Sequence, residues 1–89
     1  MSKKIILITG VTSGIGLSTS KLLYNQGHSL ILCGRNKKKL LDLSKELNYK
    51  THFLTFDVRN KKEVFQAISS IPKEFKKIDV LINNAGNAH

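Results

Sequence analysis

The sequence has a single cysteine, Cys33, and this scarcity excludes two kinds of architecture. One thiol cannot close a disulfide within the chain, and it cannot build the cysteine-rich cluster of a structural zinc site. Small secreted domains usually depend on such crosslinks. We therefore predict a reducing, cytoplasmic setting and no metal site.

Long hydrophobic runs are also absent. The apolar run at residues 5–8 is far too short for a signal sequence or a membrane span, so we expect no membrane partner. Proline occurs once, at Pro72, and no flexible linker or low-complexity tract is present. With 40% hydrophobic and 24% charged residues in a chain of 89, the composition is that of one small globular domain.

Acidic residues are scarce, because 6 Asp and Glu stand against 15 Lys and Arg, which gives a net charge of +9. Such an excess is found in nucleic-acid-binding proteins, but also in solvated, lysine-rich surfaces. The lysines are scattered in short runs without the interleaved aromatic residues of a stacking platform. Arginine, which planar phosphate recognition favours, occurs only at Arg35 and Arg59. The pattern favours a solvated surface over nucleic-acid binding.

Four apolar segments alternate with three stretches of helical periodicity. Continuous apolar runs are typical of strands that are covered on both faces in a parallel sheet. The strands are predicted at residues 5–8, 30–33, 51–56 and 80–82. The order β-α-β-α-β-α-β predicts a Rossmann-like, doubly wound α/β fold with right-handed crossovers. We expect this fold to be truncated after the fourth strand, whose open edge would be available for pairing with another chain.

The first two helices carry recognisable end signals. The first is predicted over residues 15–26, and Gly27 follows it where a left-handed residue commonly ends a helix. The second is predicted to begin at Asn36, a favourable N-cap. Its apolar stripe consists of Leu40, Leu43 and Leu47.

The third helix is predicted to begin at Asn60, with Glu63 completing a capping box three residues later. Pro72 ends it, because proline disfavours helix in the preceding residue and lacks an N–H donor. Its buried stripe is predicted to contain Val64, either Ala67 or Ile68, and Ile71.

A glycine-rich loop, residues 9–16, joins the first strand to the first helix with the sequence Thr-Gly-Val-Thr-Ser-Gly-Ile-Gly. The N-terminus of a helix offers unpaired N–H groups and partial positive charge to a phosphate, and glycine allows the backbone to approach it closely. The hydroxyls of Thr12 and Ser13 can also donate. The spacing is neither Gly-x-Gly-x-x-Gly nor a P-loop. A plain tight turn is the alternative, but the position between strand and helix favours a phosphate site.

Three motifs at strand ends resemble the short-chain dehydrogenase/reductase family. Residues 9–16 match its Thr-Gly-x-x-x-Gly-Ile-Gly, Asp57-Val58 matches the pair that borders the adenine ring, and residues 83–86 match its Asn-Asn-Ala-Gly. The resemblance implies that residues 1–89 are the N-terminal dinucleotide-binding part of such a domain. Segments outside these motifs look most like the NADP-dependent 3-hydroxy acid dehydrogenases of the serine or allo-threonine type.

The resemblance implies a cofactor site drawn from these motifs and from the end of the second strand. Its predicted residues are Gly10, Thr12, Ser13, Gly14, Ile15, Gly16, Arg35, Asn36, Asp57, Val58, Asn84, Ala85 and Gly86. Asp57 would accept a hydrogen bond from the adenine amino group, although an Asp at this place can instead form an Asx turn. Asn83 is expected to tie neighbouring strands together.

The end of the second strand predicts NADP as the cofactor and makes NAD less favourable. NAD-binding relatives of this fold place an acid there for the ribose 2′-hydroxyl, whereas NADP-binding ones use a basic residue for the 2′-phosphate. Here Gly34 stands about where the acid would be, and Arg35 follows. A guanidinium makes strong charge-assisted bonds to phosphate. The alternative is a surface arginine at a strand end.

No catalytic residue is assigned. The family uses a Ser and a Tyr-x-x-x-Lys pair, but four residues after Tyr24 and Tyr49 stand His28 and Phe53. The resemblance therefore implies an NADP-dependent oxidoreductase of which this chain is the cofactor-binding part, with a small hydroxy or keto substrate only in a full-length form. The alternative is a non-catalytic remnant or dinucleotide-binding fragment. We expect the isolated chain to be marginally stable and to bind NADP(H) weakly if at all.

Overall fold

A computed structural model describes residues 2–84 of the chain. Its strands and helices follow one another in the predicted order, and a single 3-10 turn that the sequence pattern did not indicate precedes the last strand. The elements are β1 (Ile5–Thr9), α1 (Gly14–Asn25), β2 (Ser29–Gly34), α2 (Lys37–Glu46), β3 (Thr51–Thr55), α3 (Lys61–Ser69), the 3-10 turn (Lys73–Phe75) and β4 (Val80–Asn83).

The four strands form one parallel sheet in the order β3-β2-β1-β4. The chain therefore moves outward from β1 to β3 and then crosses back to place β4 on the other side of β1. This confirms the Rossmann-like, doubly wound fold. The carboxyl ends of β1 and β4 meet where the direction of winding reverses, which is the place where ligands bind in open α/β sheets.

One face of the sheet packs against α1 and α2, and we call it the α1/α2 face. Its buried apolar side chains come from two of the strands, β1 and β2, from the glycine loop and from the α2 stripe. The buried members are Ile6, Ile8, Val11, Leu30, Leu32, Leu40, Leu43 and Leu47. Val80 and Ile82 of β4 pack against this cluster and are partly buried. This face is therefore covered from β2 across to β4.

The opposite face packs against α3 and the 3-10 turn, and we call it the α3 face. Its buried members are Leu7, Ile31, Cys33, Leu54, Phe56, Ala67 and Ile71. Leu81 pairs in register with Leu7, so it lies on this face, yet it is 66% exposed. Among residues 2–84, the α3 face is thus covered over β1, β2 and β3 and open over β4.

The helix ends agree with the predicted signals except at Glu63. Gly27 has φ of +88°, and the side chain of Asn36 accepts from the backbone N–H of Lys39, as an N-cap should. Asn60 likewise accepts from the N–H of Glu63. The second bond of the capping box, from the N–H of Asn60 to the Glu63 carboxylate, was predicted wrongly. The N–H of Asn60 donates instead to the carbonyl of Asp57 at 2.9 Å. The Glu63 carboxylate accepts instead from the N–H of Asp57 and from the Asn60 side chain.

The choice between Ala67 and Ile68 is also decided. Ala67 is buried against the α3 face, whereas Ile68 is 42% exposed.

Within residues 2–84, no helix is both long and apolar enough to cross a membrane. The same residues contain no group of three or more His, Cys, Asp or Glu side chains that could hold a metal ion.

Candidate functional site

A groove of about 630 Å³ lies at the carboxyl edge of the sheet. Its volume falls within the range of small-molecule sites. The residues that line it are Thr9, Gly10, Thr12, Ser13, Gly14, Ile15, Gly16, Cys33, Gly34, Arg35, Phe56, Asp57, Val58, Arg59 and Asn84. The predicted cofactor residues within the described part of the chain are thus brought together, with the single exception of Asn36. Ala85 and Gly86 lie outside the described residues.

The glycines of the loop do two different things. Gly10 and Gly14 have φ of +67° and +58°, a left-handed conformation that other residues rarely adopt. At Gly16 an added Cβ would overlap the carbonyl oxygen of Gly10, so this glycine lets α1 pack against the loop. At Gly14 an added Cβ would meet no atom within 4 Å. The space beside Gly14 is therefore open to a ligand.

The N-terminus of α1 points unpaired donors at this space. Ser13 is the N-cap, its side chain makes no capping hydrogen bond, and the first turn contains no acidic residue. The first bond of the helix runs from the N–H of Leu17 to the carbonyl of Ser13 at 3.4 Å. The amides of residues 14–16 therefore have no partner within the helix. Together with the helix dipole, they form a site suited to an anion.

Asp57 and Arg59 form a rigid pair at the other end of the groove. Arg59 donates to the Asp57 carboxylate from Nη2 at 2.8 Å and from Nε at 3.0 Å, and its backbone N–H donates at 2.9 Å. The last bond closes the Asx turn that was the alternative interpretation of Asp57. The hydrogen bonds from Arg59 lower the pKa of Asp57 to about 2, with a smaller contribution from the charge of Arg35.

The end of β2 is packed too tightly at Gly34 for a side chain to enter without small shifts of its neighbours. A Cβ at Gly34 would come within 3.0 Å of Thr12 Cγ2 and 3.4 Å of the Leu40 side chain. Arg35 follows with an exposed side chain on the wall of the groove. Asn36 is outside the groove lining, and its Oδ1 accepts from the N–H of Lys39 at 3.1 Å to cap α2.

The junction between β1 and β4 holds Asn84 in the groove. Thr9 Oγ1 donates to Asn83 Oδ1 at 2.7 Å and accepts from the N–H of Asn84 at 3.1 Å. The expectation that Asn83 ties neighbouring strands together is confirmed. The Nδ2 of Asn84 is buried and finds no hydrogen-bond partner among residues 2–84. It is a donor that a ligand in the groove could satisfy.

Five residues that line the groove were not among the predicted cofactor residues: Thr9, Cys33, Gly34, Phe56 and Arg59. Cys33 and Phe56 are buried strand-end residues, and burial raises the pKa of the Cys33 thiol to about 12. Arg59 could have been found from the spacing Asp-x-Arg after a strand, because an Asx turn brings residues i and i+2 together.

The sequence profile of the short chain dehydrogenase family matches residues 4–89. The chain belongs to this family. The NADP-dependent 3-hydroxy acid dehydrogenase of Shigella flexneri is 38% identical over 84 residues, which cover 94% of this chain and 34% of that protein. The serine 3-dehydrogenase of Rhizobium radiobacter is 40% identical over 83 residues, covering 93% of this chain and 33% of that protein.

The backbone of this chain superposes closely on that of a solved serine dehydrogenase. The closed form of serine dehydrogenase complexed with NADP+ superposes with a TM-score of 0.88 at 37% identity, covering 91% of this chain and 33% of that one. The resemblance to the 3-hydroxy acid and serine dehydrogenases is confirmed by these relatives. The name of the Shigella flexneri relative and the NADP+ in the solved structure agree with NADP as the predicted cofactor. The chain spans about a third of the length of each relative.

Proposed function

We propose that this chain binds NADP(H) as the N-terminal dinucleotide-binding part of a short-chain oxidoreductase. One observation carries the proposal: a single groove has free helix amides at one end and Arg35 beside Asp57 at the other. The residues fit a dinucleotide, because the space at Gly14 is open and the buried Asn84 amide lacks a partner among residues 2–84.

The glycine loop would hold the pyrophosphate. The amides of residues 14–16 carry the partial positive charge of the α1 N-terminus, and the hydroxyls of Thr12 and Ser13 line the same part of the groove. Gly10 and Gly14 supply the left-handed backbone that aims these donors. Ile15, exposed at the start of α1, would cover the cofactor from above.

The far end of the groove would hold the adenosine. Arg35 would bind the 2′-phosphate, with Nδ2 of Asn36 as a second donor beside it. Asp57 would accept from the adenine amino group, and Val58, which is 44% exposed, would cover the ring. Asn84, with Ala85 and Gly86, would contact the ribose on the nicotinamide side.

The bound nicotinamide would supply a hydride donor or acceptor. The reaction we propose for the whole protein is hydride transfer with a small hydroxy or keto compound, in keeping with relatives named 3-hydroxy acid and serine dehydrogenases. A reducing, cytoplasmic setting suits the single cysteine, which is buried. The exposed Leu81 beside the open edge of β4 is a place where a further chain could pair.

The test compares two charge reversals of equal size. Arg35→Glu should weaken NADPH binding about tenfold or more and change NADH binding little, because a charge-assisted bond to the 2′-phosphate is lost. Binding is measured by titration of NADPH fluorescence. The control is Lys76→Glu, at an exposed site outside the groove, which should leave both affinities unchanged.

Unchanged NADPH affinity in Arg35→Glu would contradict the NADP assignment. Equal losses of NADPH affinity in Arg35→Glu and Lys76→Glu would indicate general attraction of the cofactor to a basic protein instead of a 2′-phosphate site.

A dinucleotide-binding protein without activity is the second candidate. It is favoured by one observation, that neither tyrosine of the chain heads a Tyr-x-x-x-Lys pair. Oxidation of NADPH by the purified chain in the presence of 3-oxo acids separates the two candidates. Binding without turnover supports the second, and turnover above the rate without protein contradicts it.

A further inference from the structure

The segment from Asp57 to Glu63 is a closed hydrogen-bond network at the adenine end of the groove. The backbone N–H of Asp57 donates to Glu63 Oε1 at 3.2 Å, and Asn60 Nδ2 donates to Glu63 Oε2 at 2.8 Å. The carbonyl of Asp57 accepts from the N–H of Asn60 at 2.9 Å. The main chain of Asp57 is therefore attached to the first turn of α3 at both its N–H and its carbonyl.

The side chain of Asp57 is held as firmly as its main chain. Oδ1 accepts from both the backbone N–H and Nε of Arg59, at 2.9 and 3.0 Å. Oδ2 accepts from Nη2 at 2.8 Å, with Nε at a longer 3.3 Å. An ionised carboxylate has about four acceptor positions, two on each oxygen. Oδ1 is filled by Arg59, so Oδ2 has room for one further short bond.

Asp57 lines the groove and its side chain is 24% exposed, so a ligand in the groove can reach the carboxylate. Arg59 itself is 75% exposed and makes no other ion pair among residues 2–84. An isolated surface pair of this kind contributes little to stability. Its geometry does something else: it fixes the rotamer of a carboxylate and leaves one acceptor for a single N–H donor.

We propose that Arg59 is a positioning residue that aims Asp57 Oδ2 at the 6-amino group of the adenine, and so makes the site select a 6-amino over a 6-oxo purine. The inference rests on the proposed cofactor function. An acceptor-only oxygen bonds an amino group and repels a carbonyl, so a hypoxanthine ring in the same place would lose the bond and bring two acceptors together. Arg59 also neutralises the carboxylate, which keeps a negative charge from opposing the cofactor phosphates.

The test measures the dissociation constants of NADPH and of its 6-oxo (hypoxanthine) analogue with the full chain and three variants. For the unsubstituted chain we expect the analogue to bind about tenfold more weakly or worse, the cost of losing a bond to a charged group. In Arg59→Met we expect the ratio to fall to within about threefold, because Asp57 is no longer aimed. Lys62→Met, an exposed cation outside the groove, should keep the ratio.

A second readout does not involve the cofactor. In the free chain the Asp57 carboxyl, followed by carbon NMR, should titrate near pH 2, facing the charges of Arg59, Arg35 and Glu63. Arg59→Met should raise that midpoint toward the ordinary pKa of an aspartate. Arg59→Lys should keep the midpoint low, because an ammonium also supplies positive charge. It should still lower the ratio of the two dissociation constants, because an ammonium lacks the planar pair of donors.

The outcomes separate the inference from the function beneath it. No binding of NADPH by the unsubstituted chain would overturn both. If the unsubstituted chain bound NADPH and its 6-oxo analogue with equal affinity, the inference would be overturned and the cofactor site would stand. The same holds if the ratio of the two dissociation constants in Arg59→Met stayed the same or rose. An Asp57 titration that does not respond to Arg59→Met would also overturn it, because the pair would then not exist in solution.

Discussion

The two faces of the sheet are built from the same kind of residue and are covered unequally. On the α1/α2 face the apolar side chains are buried from β2 to β1, and those of β4 are partly buried. On the α3 face the cover extends over β1, β2 and β3, and Leu81 of β4 stays 66% exposed. The first face positions the glycine loop, and the second positions Asp57 and Arg59.

This difference in cover assigns stability and chain association to different parts of the sheet. The α1/α2 face holds a continuous core around the residues that would bind the pyrophosphate. The α3 face combines a sealed region near the groove with an open strand, and an exposed apolar edge strand is a place where chains associate. Stability should therefore be sensitive to substitution on the first face and at β2, and insensitive at the outer positions of β4.

The largest effect should come from the close packing between α1 and the glycine loop. In Gly16→Ala the new methyl group would overlap the carbonyl of Gly10, so the helix or the loop must move, at a cost of about 3 kcal/mol or more. Circular dichroism should show little folded chain at 25 °C.

Gly14→Ala is the matched control for Gly16→Ala, since its methyl group would enter open space. It should cost only about 1–2 kcal/mol, for a left-handed alanine. Equal losses from both substitutions would show that the loop is not packed against α1 as described.

A pair of leucine truncations measures the difference between the faces directly. Leu32 is fully buried on the α1/α2 face, and Leu32→Ala should lower the free energy of unfolding by about 2–5 kcal/mol. Leu81→Ala, on the open strand, should change it by about 0.5 kcal/mol or less. Urea denaturation followed by circular dichroism gives both values. A loss at Leu81 comparable with that at Leu32 would mean that the outer face of β4 is covered in solution.

The attachment of β4 to the rest of the sheet should have an intermediate effect. Thr9→Val removes the hydroxyl that donates to Asn83 and accepts from the N–H of Asn84. We expect a loss of about 1–2 kcal/mol, because partly buried partners lose a hydrogen bond. Amide hydrogen exchange should accelerate in β4 more than in β2. Uniform acceleration across the sheet would contradict a local role.

Much of this fold follows from local patterns. The apolar runs predicted the four strands because each strand packs at least one face against the core. Asn36, Asn60 and Gly27 predicted helix ends because their roles depend only on neighbouring residues. Ala67 and Ile68 could not be separated, since both fit the helical stripe and only the position of α3 over β3 selects the smaller residue.

The candidate site was predictable where a motif contains it and not where it depends on geometry between motifs. The glycine loop and Asp57 were found in the sequence. Arg59 was missed because its importance arises from an Asx turn that leaves its guanidinium against Asp57. The partner of Glu63 was mistaken for the same reason, since the turn from Asp57 to Asn60 had already used the expected donor.

The last comparison measures thiol reactivity and lies within the α3 face itself. Cys33 of β2 is 1% exposed and burial raises its pKa to about 12, so at pH 8 on the order of one thiol in ten thousand is the reactive thiolate. Leu81→Cys, made together with Cys33→Ala, places a thiol on the same face at an exposed position. It should react with an aromatic disulfide at the rate of an unfolded cysteine, at least about a hundredfold faster than Cys33.

The pH dependence distinguishes burial from opening of the fold. Raising the pH through 9 should favour unfolding, because the thiol ionises readily only in the unfolded chain, whose pKa is the ordinary value of 9.0. Labelling of Cys33 should then follow the unfolding equilibrium, and urea should accelerate it while leaving labelling of Leu81→Cys unchanged. If Cys33 reacted as fast as Leu81→Cys without urea, the α3 face would be open at β2 as well. Cys33 also lines the groove, so the incomplete cover of the α3 face would then reach the groove itself. The adenine end of the groove could not be rigid in that case.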